Sequence, residues 1–208
     1  MSKIIIHGGF FSESSTNIET KIAKQQALLR IVKDSYAYLQ NHSALETVVY
    51  AVSQLEDDEL FNAGIGSQIQ SDGKIRMSAS LMDGESQKMS GVINIEEVKN
   101  PIQVAQVLMQ VDDRILGGSG ATNFARKHGF ESFSTEIPQR RAEYEAKLAS
   151  LGTGTVGCVA LDKNGKIAVA TSTGGKGFEI PGRISDSATV AGNYANEFCG
   201  VSLTGVGE

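Results

Sequence analysis

Apolar residues recur along this chain with two different periods, and the change falls at Thr155. Before it the pattern is mostly helical. The run Lys-Ile-Ile-Ile-His over 3–7 is short and β-branched and reads as a buried strand ending at Gly8-Gly9. After a polar loop over 10–17, Ile18, Ile22, Leu29, Val32, Tyr36 and Leu39 fall near helical spacing and predict a long amphipathic helix with these residues as its apolar face. Ser43 followed by Glu46 is a capping box and predicts a second helix, whose apolar face is Leu45, Val48, Val49, Val52 and Leu55. Residues 57–66 are too rich in glycine for a helix and read as a loop. Ile69, Ile75, Met77 and Ala79 alternate on either side of Ser71-Asp72-Gly73, which predicts a hairpin. Val92-Ile93-Asn94-Ile95 predicts another strand, and Asn100-Pro101 opens a third helix, proline standing where its missing N–H costs nothing. The glycines 117–120 precede a short helix over 121–128. From Glu131 to about residue 154 the chain is polar and charged, with no pattern that would pack deeply, and reads as a linker.

From Thr155 the period is that of strands. Val156, Cys158 and Ala160 alternate with Gly157, Val159 and Leu161, Asp162-Lys163-Asn164-Gly165 turns the chain, and 167–170 returns. A further extended run covers 197–203. Strand, paired helices, antiparallel strands, linker and antiparallel strands make an α+β layered fold, and not a parallel doubly wound sheet.

Size and charge narrow the function. At 208 residues the chain can bury one sizeable core. A net charge of −5 leaves no basic surplus to neutralise phosphates, which argues against a general nucleic-acid binder. No apolar run approaches the ~20 residues of a membrane span, and the N-terminus lacks the pattern of a signal peptide, so the cytoplasm is the expected compartment. Cys158 and Cys199 are too few for a disulfide framework or a zinc site, and Cys158 suits a core strand. His7, His42 and His128 show no ligand spacing.

The candidate chemistry lies where the period changes. Gly154-Thr155 at the head of a strand is where a chain could cut itself and expose a new N-terminal threonine. That residue would carry its own catalytic unit: the hydroxyl as nucleophile, and the freed α-amine, with a pKa of about 8, as base. Two glycine patterns nearby point elsewhere and fail on context. Gly152-Thr153-Gly154-Thr155-Val156-Gly157 fits a dinucleotide fingerprint but opens a strand instead of a helix, and Gly174-Gly175-Lys176-Gly177 lacks the spacing of a phosphate loop. The glycines 117–120 read as tight-turn residues, and the acidic run 56–59 as a solvated loop whose carbonyls could hold a cation. Glycine-flanked hydroxyls recur at Thr155, at Thr171-Ser172-Thr173 and at Thr204-Gly205, more often than strand preference alone explains. Between them Arg183 and Asp186 would match the carboxylate and ammonium of an amino-acid substrate.

Together these segments resemble the plant-type L-asparaginase and isoaspartyl peptidase family of N-terminal-nucleophile hydrolases. The carriers are Gly154-Thr155-Val156-Gly157 with Ala160-Leu161-Asp162, then 170–175, 181–187 and Thr204-Gly205, supported by Leu60-Phe61-Asn62-Ala63-Gly64 and Met82-Asp83-Gly84. The resemblance runs from Ile4 to Glu208. It implies an α+β fold of the four-layer αββα sandwich type, in one domain over 1–208, with 1–154 becoming an α subunit and 155–208 the start of a β subunit. It implies cleavage between Gly154 and Thr155, Thr155 as nucleophile, and Thr173 as a hydroxyl that orients it. Arg183 and Asp186 would grip the substrate's α-carboxylate and α-amine with Gly207 nearby, Thr204 and the Gly205 N–H would form the oxyanion hole, and Asn62 would help hold the nucleophile's amine. It further implies no catalytic cofactor, a structural sodium held by the backbone carbonyls of Leu55, Glu56, Asp58, Phe61, Ala63 and Ile65, and a homodimer of processed units. The expected reaction is hydrolysis of L-asparagine or β-aspartyl dipeptides, a small-molecule activity with neither nucleic-acid nor membrane partners. Within the enzymes, hydrolysis of glycosylated asparagine or of proteins stays open. So does a different class, an unmatured and non-catalytic binding or assembly protein. The chain departs from the family pattern at Phe10-Phe11, Ser185 and Val206, and against the family's length its C-terminus reads as truncated.

Overall fold

A computed structural model describes residues 1–9, 18–146 and 154–205. The predicted loop over 10–17, the 147–153 part of the expected linker, and Val206, Gly207 and Glu208 lie outside the described residues.

The elements run β1 (Lys3–His7), α1 (Ile18–Leu39), α2 (Ala44–Glu56), β2 (Met77–Asp83), β3 (Lys88–Ile95), α3 (Pro101–Leu108), β4 (Ile115–Gly117), α4 (Gly118–Lys127), α5 (Pro138–Glu145), β5 (Thr155–Leu161), β6 (Ile167–Thr173), a short 3₁₀ turn (Asp186–Ala188), β7 (Asn193–Ala195) and β8 (Gly200–Ser202). Six strands form one sheet in the order β1-β5-β6-β2-β3-β4, antiparallel except for β3 with β4. β7 and β8 form a separate two-stranded ribbon. The fold is α+β, as the alternation of periods predicts.

Side-chain alternation decides what each face of the sheet meets. Val156, Cys158 and Ala160 of β5, Ala168 and Ala170 of β6, and Ala79 and Leu81 of β2 enter one core with Val48, Val52 and Leu55 of α2 and Ile102, Ala105 and Leu108 of α3. The small β6 residues let α2 lie close to the sheet. The residues between them face the other way, where Met82, Val169 and Ala195 form a second, smaller cluster under the ribbon. Thr155, Thr171, Thr173 and Ser80 belong to this second face by the period of two.

The capping box forms as expected: Ser43 Oγ accepts the Glu46 N–H at 3.2 Å, and Glu46 Oε2 accepts the Ser43 N–H at 2.9 Å. Asp162 has a part in the same helix end. Its Oδ1 accepts the N–H groups of Asn164 and Lys166 in the β5–β6 turn, while its Oδ2 accepts that of Ala44 at the start of α2.

Five sequence expectations are corrected. The inward stripe of α1 is Ala27, Ile31, Ser35 and Leu39, whereas Ile18, Ile22, Leu29 and Tyr36 are exposed. Small residues at 27 and 35 let α1 approach its neighbours α2 and β1, and packing overrides the more hydrophobic stripe. The 71–73 turn closes, with the Gly73 N–H on the Gln70 carbonyl, but only the downstream arm becomes a strand, from Met77. Ile69 instead accepts the Phe178 N–H, so the upstream arm serves the 174–180 loop. The glycines 118–120 lie inside α4, not ahead of it. Glu56 is not solvated: it ends α2 and is fully buried. Where a linker is expected, α5 forms with no buried residue, and Arg140 Nε donates to the Gly66 carbonyl at 2.8 Å, holding it against the 57–73 loop.

Candidate active site

Thr155 is the first residue of β5 and lies directly across from Thr173, the last residue of β6. In an antiparallel pair, opposed residues share a face, so the two hydroxyls meet at the same end of the sheet. Both are buried. Thr173 Oγ1 donates to the Gly154 carbonyl at 3.3 Å and accepts the Gly175 N–H at 3.2 Å. Asn62 holds that loop from the far side: its Nδ2 donates to the Gly175 carbonyl, its own carbonyl accepts the Gly174 N–H, and its Oδ1 accepts the Gln68 N–H. The Thr155 N–H donates to Thr204 Oγ1 at 3.4 Å. The structure therefore gathers Gly154, Thr155, Thr173 and Thr204, with Asn62 acting on them through Gly175.

Gly9 explains how β1 can end against this point. Its φ is +105°, and a Cβ there would lie 2.9 Å from the Gly154 Cα. Any side chain would push the peptide before Thr155 away from its partners.

Several residues at the site were not singled out by the sequence. Ser187 Oγ lies 3.3 Å from Thr155 Oγ1. Its signal was present, since it closes the motif that contains Arg183 and Asp186, but its spacing from Thr155 along the chain says nothing of contact. Ser185 Oγ accepts the Ser187 N–H at 3.3 Å, opening the 3₁₀ turn, and reaches both Ser187 Oγ at 3.2 Å and Asp186 Oδ1 at 3.1 Å. Asn94, at φ +53° where the β2–β3 register shifts, turns its Nδ2 to the Arg183 carbonyl at 3.1 Å. A bulge re-aims a side chain in this way, and one sequence cannot announce it.

Beneath Ser187 runs a buried chain of polar groups whose proton positions can be counted. The Ser187 carbonyl can only accept, so Ser80 Oγ donates to it at 2.6 Å. Ser80 must then accept from Asn193 Nδ2 at 2.9 Å, which turns Asn193 Oδ1 to Thr171 Oγ1 at 3.2 Å. Thr171 spends its proton there and accepts from Ser202 Oγ at 2.9 Å, and Ser202 accepts from His7 Nε2 at 2.9 Å. His7 is neutral with its proton on Nε2, and its buried Nδ1 has no hydrogen-bond partner. Burial holds the imidazole below the ordinary histidine range, and the Thr155 backbone opposes that shift more weakly. Gly157 makes room for this chain: a Cβ there would collide with Ser202 and His7.

On the opposite face, Glu56 Oε1 accepts Ser172 Oγ–H at 2.6 Å and the Ile102 N–H at 3.1 Å, and Oε2 is buried without a partner. Burial raises its carboxyl from 4.5 to about 8, so it is protonated at neutral pH. The carbonyls of Leu55, Glu56 and Asp58 already accept backbone N–H groups of the 57–65 loop. Among the described residues no group of three or more His, Cys, Asp and Glu side chains could hold a metal. Burial also pushes the Cys158 thiol far up, as for an inert core residue. No helix among the described residues is long and apolar enough to cross a membrane.

Compared with known proteins, a model of the asparaginase family matches residues 1–208. The chain belongs to the asparaginase family. It is 47% identical over 226 residues to an isoaspartyl peptidase/L-asparaginase of Synechocystis, covering 99% of this chain and 68% of that protein. It is 37% identical to a plant-type L-asparaginase of Pyrococcus furiosus, covering 100% and 75%. It is likewise 37% identical to an isoaspartyl peptidase of Escherichia coli, covering 99% and 71%. Membership agrees with the resemblance carried by the segments around Thr155.

Proposed function

We propose that this protein is a threonine amidohydrolase that cleaves itself between Gly154 and Thr155 and then hydrolyses L-asparagine and β-aspartyl dipeptides. One observation carries the reading: the Gly154 carbonyl is held by the Thr173 hydroxyl while the adjoining Thr155 hydroxyl sits buried beside Ser187. A carbonyl polarised by a donor, next to a hydroxyl on the following residue, suits an N-to-O acyl shift. Thr173 would strengthen its hydrogen bond as negative charge grows on the Gly154 oxygen.

After cleavage the α-amine of Thr155 would be the base for attack on a substrate's side-chain amide. Thr204, now within reach of Thr155 N, and the Gly205 N–H would hold the developing oxyanion. Arg183, braced by Asn94, would fork onto the α-carboxylate, and Asp186 would take the α-amine, with Gly207 as a further substrate contact. The names of the relatives support both substrates. The carbonyls of Leu55, Glu56, Asp58, Phe61, Ala63 and Ile65 offer the oxygen-only donors that suit sodium, which would stiffen the loop carrying Asn62. The full architecture would be the four-layer αββα sandwich, working in the cytoplasm as a homodimer of processed units.

Assays of ammonia release from L-asparagine and leucine release from β-aspartyl-leucine test the reading. The wild type should act on at least one, and Thr155→Ala should lose on the order of 10³-fold or more, as for a covalent nucleophile. Undiminished turnover by Thr155→Ala would contradict it.

A further inference from the structure

Asp186 opens the 3₁₀ turn, and its backbone is pinned there. The Asp186 carbonyl accepts the Thr189 N–H at 2.8 Å and the Thr189 hydroxyl at 2.9 Å. Gly192 closes over it: a Cβ there would lie 2.7 Å from the Asp186 carbonyl oxygen and 3.1 Å from its Cγ. A pinned backbone still leaves a carboxylate free to turn about its two side-chain torsions. Among the described residues one donor reaches that carboxylate, Ser185 Oγ at 3.1 Å from Oδ1.

Ser185 is well placed to hold it. The residue caps the turn from an extended backbone, with φ −78° and ψ 162°, and is buried. Its Oγ accepts the Ser187 N–H at 3.3 Å, so the hydroxyl cannot swing away without uncapping the turn. Its one proton is shared between Asp186 Oδ1 and Ser187 Oγ, the latter at 3.2 Å, and of the two a carboxylate is the stronger acceptor. Ser187 Oγ in turn lies 3.3 Å from Thr155 Oγ1. One buried hydroxyl thus ties the acid to the neighbour of the nucleophile, out of competition with bulk water. With Oδ1 engaged by Ser185, Oδ2 is left for a further donor. An ammonium is a point charge with three rotatable donors and imposes little direction of its own, so the acid must supply it.

We propose that Ser185 is the positioning residue of the α-amine site: its hydroxyl holds the Asp186 carboxylate in one orientation, and this sets how strongly the site prefers ligands that carry an α-amine. The role rests on Asp186 meeting the α-amine, as proposed above, and names the group that fixes it in place. A carboxylate ordered before the ligand arrives spares the ordering cost at binding. The effect belongs to one ligand group, and a ligand without an α-amine gains nothing from it.

Competitive inhibition by two anions tests this. L-aspartate is the acyl product of both proposed substrates, and succinate is L-aspartate without its α-amine. In Ser185→Ala, L-aspartate should inhibit about tenfold less well, the worth of one hydrogen bond to a charged group, while succinate stays within about twofold of the wild type. KM for the substrate turned over should rise by a similar factor, with a smaller change in kcat. Ser185→Thr, which keeps the hydroxyl, should restore L-aspartate inhibition. Inhibition constants do not depend on how much of the chain is active, so partial misfolding leaves the comparison intact. If Ser185→Ala does not fold at all, Ser185→Cys, close to serine in size and a weak donor, should show the same selective loss in smaller measure. Unchanged L-aspartate inhibition in the variant, or equal weakening of both anions, overturns the role of Ser185. A wild type that turns over neither L-asparagine nor β-aspartyl-leucine would instead remove the proposed function itself.

Discussion

His7 owes its state to a carbonyl five hydrogen bonds away. Because the Ser187 oxygen cannot donate, every group back to His7 Nε2 has its proton placed and Nε2 must donate, while burial keeps the imidazole neutral with its Nδ1 bare. Charging it would put a second N–H in a buried place, and the Thr155 backbone offsets only the smaller part of that cost. The folded pKa is therefore depressed from 6.5, and the unfolded chain takes up the proton first as pH falls. The stability that follows from neutral His7 is complete above the unfolded value and is lost as pH drops through it toward the folded one. Urea unfolding between about pH 8 and pH 5 should show a steeper loss in the wild type than in His7→Gln, which keeps a donor and cannot titrate. Parallel curves would mean that His7 is not held neutral. None of this was legible in a lone histidine at the end of a short strand. The hydroxyls Thr155, Thr171 and Thr173 were visible as a cluster, yet Ser80, Ser187 and Ser202 were not. Each is an ordinary serine in the sequence: Ser80 joins the site by facing the ribbon side of the sheet, and Ser187 and Ser202 join it from the 3₁₀ turn and from β8.

At the scale of elements, Glu56 ties three together: it ends α2, receives the Ile102 N–H at the start of α3, and takes the Ser172 hydroxyl from β6. An acid in a run of acids reads as surface, and only burial shows otherwise. As a neutral carboxyl it costs far less than a buried charge would. Glu56→Gln keeps the accepting oxygen and should cost less than about 1 kcal/mol. Glu56→Ala leaves two buried donors unpaired and should cost about 2–4 kcal/mol in denaturant unfolding. Equal losses from both would show that the carboxyl is packing and nothing more. Elements marked by local chemistry were legible: the capping box of α2, the proline that opens α3, and the Asp162 turn between β5 and β6. The inner face of α1 was not, because close approach to α2 and β1 favours Ala27 and Ser35 over Leu29 and Tyr36. The single downstream arm after the 71–73 turn likewise follows from what the 174–180 loop needs, which no window of sequence contains.

For the whole molecule, the sheet sorts its residues by parity. Even positions of β5 and β6 build the core with α2, and odd positions place Thr155, Thr171 and Thr173 under β7–β8. That sorting was readable from the alternation after Thr155, and it is why the threonines gather instead of scattering. The central claim is that this gathering primes one peptide bond for scission. Intact-mass and N-terminal analysis of the purified wild type beside Thr155→Ala tests it most directly. The account predicts two wild-type fragments, the second beginning at Thr155, and a single full-length Thr155→Ala chain. A wild type that stays whole, or a Thr155→Ala chain cut at the same bond, would contradict it.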